Sequence, residues 1–245
     1  MIVLYTDFGA TGPYVGQVKA VLARQAPGVP VIDLLHDAPA YNARAAAYLL
    51  AALATEFPGS SVLLCVVDPG VGTQRRPLVA RLDGRWFVGP DNGLFNVVAQ
   101  RASDRQWWEI DLKPERLSAT FHGRDLFAPV AARLALGMEV PGQPCAPPAL
   151  DPVQWPADLA EVIYVDGYGN AATGLRAAGI AGDQMLRANN RCFAPARTFA
   201  DAPPGAAIWY ANSNGLAELA INQGSAAASC GLAVGTGVSV QPECD

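Results

Sequence analysis

Short apolar runs alternate with helix-like stretches through the first half of the chain, and the runs stop at polar, glycine-bearing turns. Ile2 to Tyr5 ends on Thr6-Asp7-Phe8-Gly9, and a helix pattern from Tyr14 to Gln25 closes at Pro27-Gly28. Val29 to Leu35 reads as a second strand. The Ala-rich stretch from Ala40 to Phe57 is long enough for a helix and stops at Pro58-Gly59. Ser61 to Val67 is continuously apolar and runs into Asp68-Pro69-Gly70-Val71-Gly72. Leu78 to Leu82 and Arg85 to Val88 flank Asp83-Gly84 as a hairpin would. Shorter helix patterns follow at Gly93 to Arg101 and Arg124 to Leu136. Strands alternating with helices predict an α/β domain over residues 1–142, a doubly wound, mainly parallel sheet covered on both faces.

The pattern then changes. Six prolines fall between residues 141 and 156, so 143–157 reads as a Pro-rich linker. Beyond it come short β-like pieces: Ala160 to Val165, Met185 to Phe193, Ala207 to Ala211, Leu216 to Ile221 and Ala233 to Val240. Without long helical patterns, residues 158–245 predict a smaller all-β domain, a barrel or compact sandwich. With 51% apolar residues, both parts have material for a core.

Charge narrows the partners. Only 17 Lys and Arg are spread thinly along a chain of formal charge −5, whereas nucleic-acid binding needs clustered basic charge. A small molecule is the expected partner, with no nucleic acid. No apolar run reaches the roughly 18 residues of a membrane span, and the start of the chain lacks a signal-peptide pattern. The five cysteines form no CxxC pair and, being odd in number, no complete disulfide framework. A reducing cytoplasm is the expected location. No metal is expected, because neither His36 nor His122 has a second ligand at a suitable spacing.

Ligands collect at the carboxyl ends of strands in an open parallel sheet, where Asp7 and Asp68 both stand. Each equally suits capping the turn or helix that follows it. Gly9, Gly70 and Gly72 allow close backbone approach, but a third glycine and a Walker lysine are lacking, so phosphate binding has little support. His36 and His122, taken singly, are as readily structural as catalytic. Asp166-Gly167-Tyr168-Gly169-Asn170 and Asn212-Ser213-Asn214-Gly215 have ordinary turn composition. Glu218 interrupts an apolar strand and is either on a solvent face or bonded to something specific.

Together these segments resemble the S-adenosylmethionine hydroxide adenosyltransferases, a family that includes fluorinating and chlorinating relatives. The residues that carry the resemblance are Thr6-Asp7-Phe8-Gly9 with Tyr14-Val15-Gly16, and Asp68-Pro69-Gly70-Val71-Gly72 with Arg75. Gly89-Pro90-Asp91-Asn92-Gly93-Leu94 and Phe121-His122-Gly123-Arg124-Asp125 follow in family order. Asp166-x-Tyr168-Gly169-Asn170, then Asn212-Ser213-x-Gly215 with Glu218 and Asn222-Gln223-Gly224-Ser225-Ala226, complete the set.

The resemblance implies an N-terminal α/β domain, a C-terminal β-barrel, and a homotrimer with the substrate held at subunit interfaces. It implies hydrolysis of S-adenosyl-L-methionine to adenosine and L-methionine, with no cofactor. The catalytic set falls on Asp68, Arg75 and His122, and family spacing picks Arg75 over its neighbour Arg76. Asp7 falls on the ribose hydroxyls, with Phe8 and Tyr41 nearby. Asp166 and Asn170 fall on the adenine or the methionine end, Tyr168 on the base, and Ser213 with Glu218 on the amino-acid portion. The short spacing from Arg75 to Gly89 leaves no room for the extra loop of the fluorinating branch. Gly12 stands where the family usually has an acidic residue. A halide-using adenosyl transferase and a non-catalytic sensor of S-adenosylmethionine or adenosine are the alternatives.

Overall fold

In the computed structural model, which describes residues 1–243, Ile2, Val3, Leu4 and Tyr5 are all fully buried. A strand hidden on both faces belongs in the middle of a covered sheet. This strand, β1 (Ile2–Thr6), pairs in parallel with β2 (Val31–Leu35) on one side and β3 (Val62–Val66) on the other. Beyond β3 come β4 (Pro77–Leu82), β5 (Arg85–Pro90), β6 (Arg105–Ile110) and β7 (Gly142–Pro144), giving the order β2-β1-β3-β5-β4-β6-β7. The pairing is parallel from β2 to β5 and antiparallel from β5 to β7, so the sheet is mixed where a mainly parallel one was expected. The change of direction comes from the β4–β5 hairpin. Asp83 and Gly84 both take positive φ, 47° and 82°, the geometry that matches a two-residue turn to strand twist.

Helices α1 (Tyr14–Gln25), α2 (Ala43–Leu53), α3 (Asn96–Arg101) and α4 (Ala128–Ala135) cover this sheet. Val18, Val21 and Leu22 of α1 and Val130, Ala131 and Leu134 of α4 share a core with Ile2, Leu4, Val62 and Leu64. Tyr5 alternates to the other face, where its hydroxyl donates to the Ala46 carbonyl of α2 at 2.8 Å. Both faces are therefore helix-covered. The second helix is shorter than its Ala-rich composition suggests, because Asn42 caps it by accepting from the Ala45 N–H.

Two compact units divide the chain, Met1–Asp151 and the part from Pro152 onward. Part of the segment expected to be a linker forms β7, the edge strand of the first sheet, and Cys145 N–H donates to the Trp107 carbonyl beside it. The second unit holds β8 (Leu159–Val165), β9 (Ala171–Arg176), β10 (Met185–Ala188), β11 (Arg191–Pro195), β12 (Ala207–Ala211), β13 (Leu216–Ile221), helix α5 (Ala226–Cys230) and β14 (Val238–Gln241). Its order is β14-β10-β11-β12-β13-β9-β8. A bridge between Glu161 and Gly237 brings the two ends together, so the sheet nearly closes as a barrel. The expected single piece from Met185 to Phe193 is two strands, folded back at Asn189 with φ 50°. Among the described residues Cys65, Cys145 and Cys230 are free, whereas Cys192 is disulfide-bonded. No described helix is long and apolar enough to cross a membrane.

Gly169 has φ +84°, and a Cβ there would lie 2.0 Å from Ser225 Oγ, which itself caps α5. Gly167 has open space within 4 Å. Gly169→Ala should therefore cost about 2 kcal/mol or more in urea unfolding, and Gly167→Ala less than about 0.5 kcal/mol. Equal effects would contradict the packing described here.

Candidate active site

β1 and β3 are sequence-distant but adjacent, with Thr6 opposite Val66, so the residues that follow leave the sheet side by side at one edge. This is the switch point of a wound sheet, where ligand-binding groups gather. Asp7 and Asp68 are those residues. Burial, with the nearby Asp68 charge, raises the Asp7 pKa to about 6, against the lowering effect of its own backbone N–H and that of Tyr41. Tyr41 adopts a φ of 60°, rare for a non-glycine residue, and its ring is 86% exposed.

Asp68 is held differently. Arg75 Nε donates to both of its carboxylate oxygens at 2.9 and 3.0 Å, and Nη2 donates to Oδ2 as well. Both side chains are nearly buried, 5% and 9% exposed, and the guanidinium lies over the Phe127 ring, 5.2 Å from its centroid. Arg75 Nη2 also lies 3.0 Å from His122 Nδ1. A guanidinium only donates, so Nδ1 accepts and the ring proton sits on Nε2. Burial and the Arg75 charge hold the His122 pKa below its usual 6.5, which keeps the ring neutral. Among the described residues Nη1 of Arg75 has no protein acceptor.

Local chain geometry makes this convergence possible. In the loop after Asp68, Thr73 Oγ1 donates to the Gly70 carbonyl at 2.7 Å. Gly72, with φ +80°, passes the segment before His122 so closely that a Cβ would meet Ala119 O at 2.7 Å. Arg76 points elsewhere and pairs with Asp91 at 2.7 Å, which separates it from the site. Asn92, not singled out as a site residue from the sequence, donates to the Val67 carbonyl at 2.7 Å and steadies the chain just before Asp68.

A cavity of about 550 Å³ has Asp7, Phe8, Tyr14, Tyr41 and Phe121 in its walls, whereas Asp68, Arg75 and His122 are not among its lining residues. Three of the expected substrate residues, Asp7, Phe8 and Tyr41, thus face one space. Phe8, Tyr14 and Phe121 form an aromatic cluster, with ring centroids 5.3 to 6.2 Å apart. Tyr14 and Phe121 lay within the quoted motifs, but only contact reveals them as a wall.

In the second unit, the ordinary turn chemistry of Asp166 is realised. Its Oδ1 accepts from the Tyr168 and Asn170 N–H groups at 2.9 Å each, and Oδ2 accepts from Asn170 Nδ2 at 3.0 Å. Tyr168 projects from the turn, 84% exposed. Glu218 on β13 accepts from the Tyr210 hydroxyl through Oε1 and from Asn212 Nδ2 through Oε2 at 2.7 Å. Burial and Glu218 push the Tyr210 ionisation well up, with a further contribution from Asp166. Ser213 lies exposed in the adjoining turn, which Asn212 Oδ1 ties by accepting from the Asn214 and Leu216 N–H groups. Tyr210 was not anticipated; it stands directly opposite Glu218 on the neighbouring strand. Among the described residues no cluster of three or more His, Cys, Asp or Glu could hold a metal ion.

Comparison with known proteins gives a consistent answer. Family models described as the SAM hydroxide adenosyltransferase N-terminal and C-terminal domains match residues 2–142 and 160–239. The chain is 42% identical, over 94% of its length and 95% of the relative's, to a Thermus thermophilus protein named (R)-S-adenosyl-L-methionine hydrolase. A Salinispora arenicola protein of the same name is 41% identical, with 91% and 90% covered. A Nocardia brasiliensis fluorinase is 27% identical, with 98% and 96% covered. Among solved structures, an uncharacterized conserved protein from Thermotoga maritima superposes with a TM-score of 0.87 at 32% identity, covering 98% of this chain and 100% of that one.

The raised pKa of Asp7 has a definite sign. Folding favours its protonated form, so that contribution to stability is complete below pH 3.8 and is lost as pH rises through about 6. Asp7→Asn should raise Tm by about 2–4 °C at pH 8 and leave it unchanged near pH 4. Calorimetry at the two pH values checks this; a variant no more stable at pH 8 would refute it.

Proposed function

The chain belongs to the S-adenosylmethionine hydroxide adenosyltransferase family, and on that footing we propose that it hydrolyses S-adenosyl-L-methionine at the 5′ carbon to adenosine and L-methionine. The observation that best supports a water-using site is the Arg75 guanidinium. It is locked by Asp68 and His122, with Nη1 left unengaged, and the Asp68 charge is felt by Asp7 in the cavity wall.

The attacking oxygen donates an electron pair to C5′, the C5′–S bonding pair returns to sulfur, and methionine leaves as a neutral thioether. The water gives up its proton to solvent. Bulk water is a poor nucleophile, so the site must position one molecule and favour its hydroxide form. Arg75 supplies the positive charge through Nη1, and Asp68 fixes the plane of the fork. His122 takes one Nη2 hydrogen and presents an Nε2–H that can hold the water oxygen. Asp7 in its ionised form accepts from the two ribose hydroxyls, while Phe8 and Tyr41 border the sugar. From the second unit, Tyr168 stacks on the base with Asp166 and Asn170 beneath its turn. Glu218, steadied by Tyr210 and Asn212, takes the ammonium group together with Ser213. No metal or organic cofactor enters this step.

Incubation with S-adenosylmethionine in heavy-oxygen water should give adenosine labelled at its 5′ oxygen. Asp68→Ala, which frees the Arg75 fork, should lower kcat by about 100-fold or more. A chlorinated nucleoside formed in chloride would assign the halide chemistry instead. Tight binding with unchanged substrate would assign a sensor. The assembly proposed is a homotrimer with its sites at subunit interfaces, so light scattering should return about three times the 25.6 kDa of the chain; a monomer would exclude it.

A further inference from the structure

A groove of about 590 Å³ runs along the first unit, away from Asp68 and His122. Gln17, Ala20, Val21, Arg24 and Gln25 line one side, the spacing of a single face of α1. Arg124 and Arg133 stand on the side that leads into and along α4, and Arg116 closes the rim. Four arginines and only two carboxylates, Glu115 and Asp125, therefore border one space in a chain of formal charge −5. Asp125 is already engaged by Arg124 at 2.6 and 2.9 Å and by the Ser118 N–H at 2.8 Å. Among the described residues Arg24 and Arg133 form no ion pair, while the Arg116 charge reaches only Asp125, which Arg124 already holds.

Arg24 and Arg133 lie in the last turns of their helices, where a cation complements the helix dipole. That accounts for their sign, and Arg116 has the Asp125 carboxylate within electrostatic reach, but Arg24 and Arg133 still face the groove with no carboxylate of their own. Along α1, Gln17 and Arg24 are separated by about 10 Å at 1.5 Å rise per residue. Arg116, Arg124 and Gln17 also line the substrate cavity, so the groove starts there and ends at Arg24 and Arg133.

We propose that this groove is a second binding site, for an extended small polyanion carrying phosphate or carboxylate groups, with Arg24 and Arg133 gripping one end and Arg116 the other. A guanidinium fork matches either oxyanion. Arg124, tied to Gln17 at 2.7 Å, is already committed and forms the wall shared with the cavity.

The test is titration calorimetry of the full chain with tripolyphosphate, with citrate, and with chloride at matched ionic strength, on wild type and on the Arg24→Gln, Arg133→Gln double variant. Saturable binding of tripolyphosphate or citrate, weakened at least tenfold in a double variant of unchanged circular dichroism, is expected. The tighter of the two assigns phosphate or carboxylate chemistry. If the double variant fails to fold, Arg116→Gln carries the same comparison. Heats no greater than those of chloride, or affinity unchanged by the substitutions, would overturn the proposal. The readout involves no turnover, so it stands or falls apart from the hydrolase reading.

Discussion

The register of β1 against β3 determines the electrostatics of the site. With Thr6 opposite Val66, two carboxylates leave the sheet next to one another, and like charges at such a distance cannot both be comfortable. The protein resolves the conflict asymmetrically. Asp68 receives a guanidinium of its own, while Asp7 receives only backbone N–H groups and keeps a raised pKa. β3 is apolar and buried on both faces, so close packing of its side chains on both sides, not an alternating pattern, holds the register and with it the carboxylates.

The partners of Asp68 come from distant parts of the chain. Arg75 follows within the same turn, but His122 is 47 residues further on, at the entrance to the segment leading into α4. They meet because Gly72 lets one loop pass within contact of another, and Phe127 floors the guanidinium from the first buried turn. Second-unit residues follow another logic: Asp166 and Glu218 spend much of their hydrogen-bonding capacity on their own turns and strands. Both carboxylates are therefore ordered by the protein's own hydrogen bonds.

Much of this was legible before any coordinates. Continuous apolar runs ending in Asp-bearing turns marked β1 and β3, and the wound sheet with its two strand-end aspartates followed. Strand β6 escaped because Arg105-Gln-Trp-Trp-Glu-Ile110 neither alternates nor runs apolar. Strand β7 escaped because its single proline, in a Pro-rich stretch, read as linker, although an edge strand tolerates it. Convergence of Asp68, Arg75 and His122 could not be read from spacing; it came with the family resemblance. The roles of Asn92, Phe127 and Tyr210 depend on side-chain contacts across strands and loops that no local pattern encodes.

The way the two sheets end bears on how the protein behaves at high concentration. An open row of backbone donors and acceptors is a template on which another chain can crystallise as an added strand. In the second unit the Glu161–Gly237 bridge leaves little of such a row. In the first, one edge is β2, which carries the charged Asp33, and the other is β7, three residues long and ending on Pro144, which has no N–H to offer. The segment read as a spacer thus blunts one edge of the first sheet, and lengthening it with β-forming residues would open that edge to strand addition.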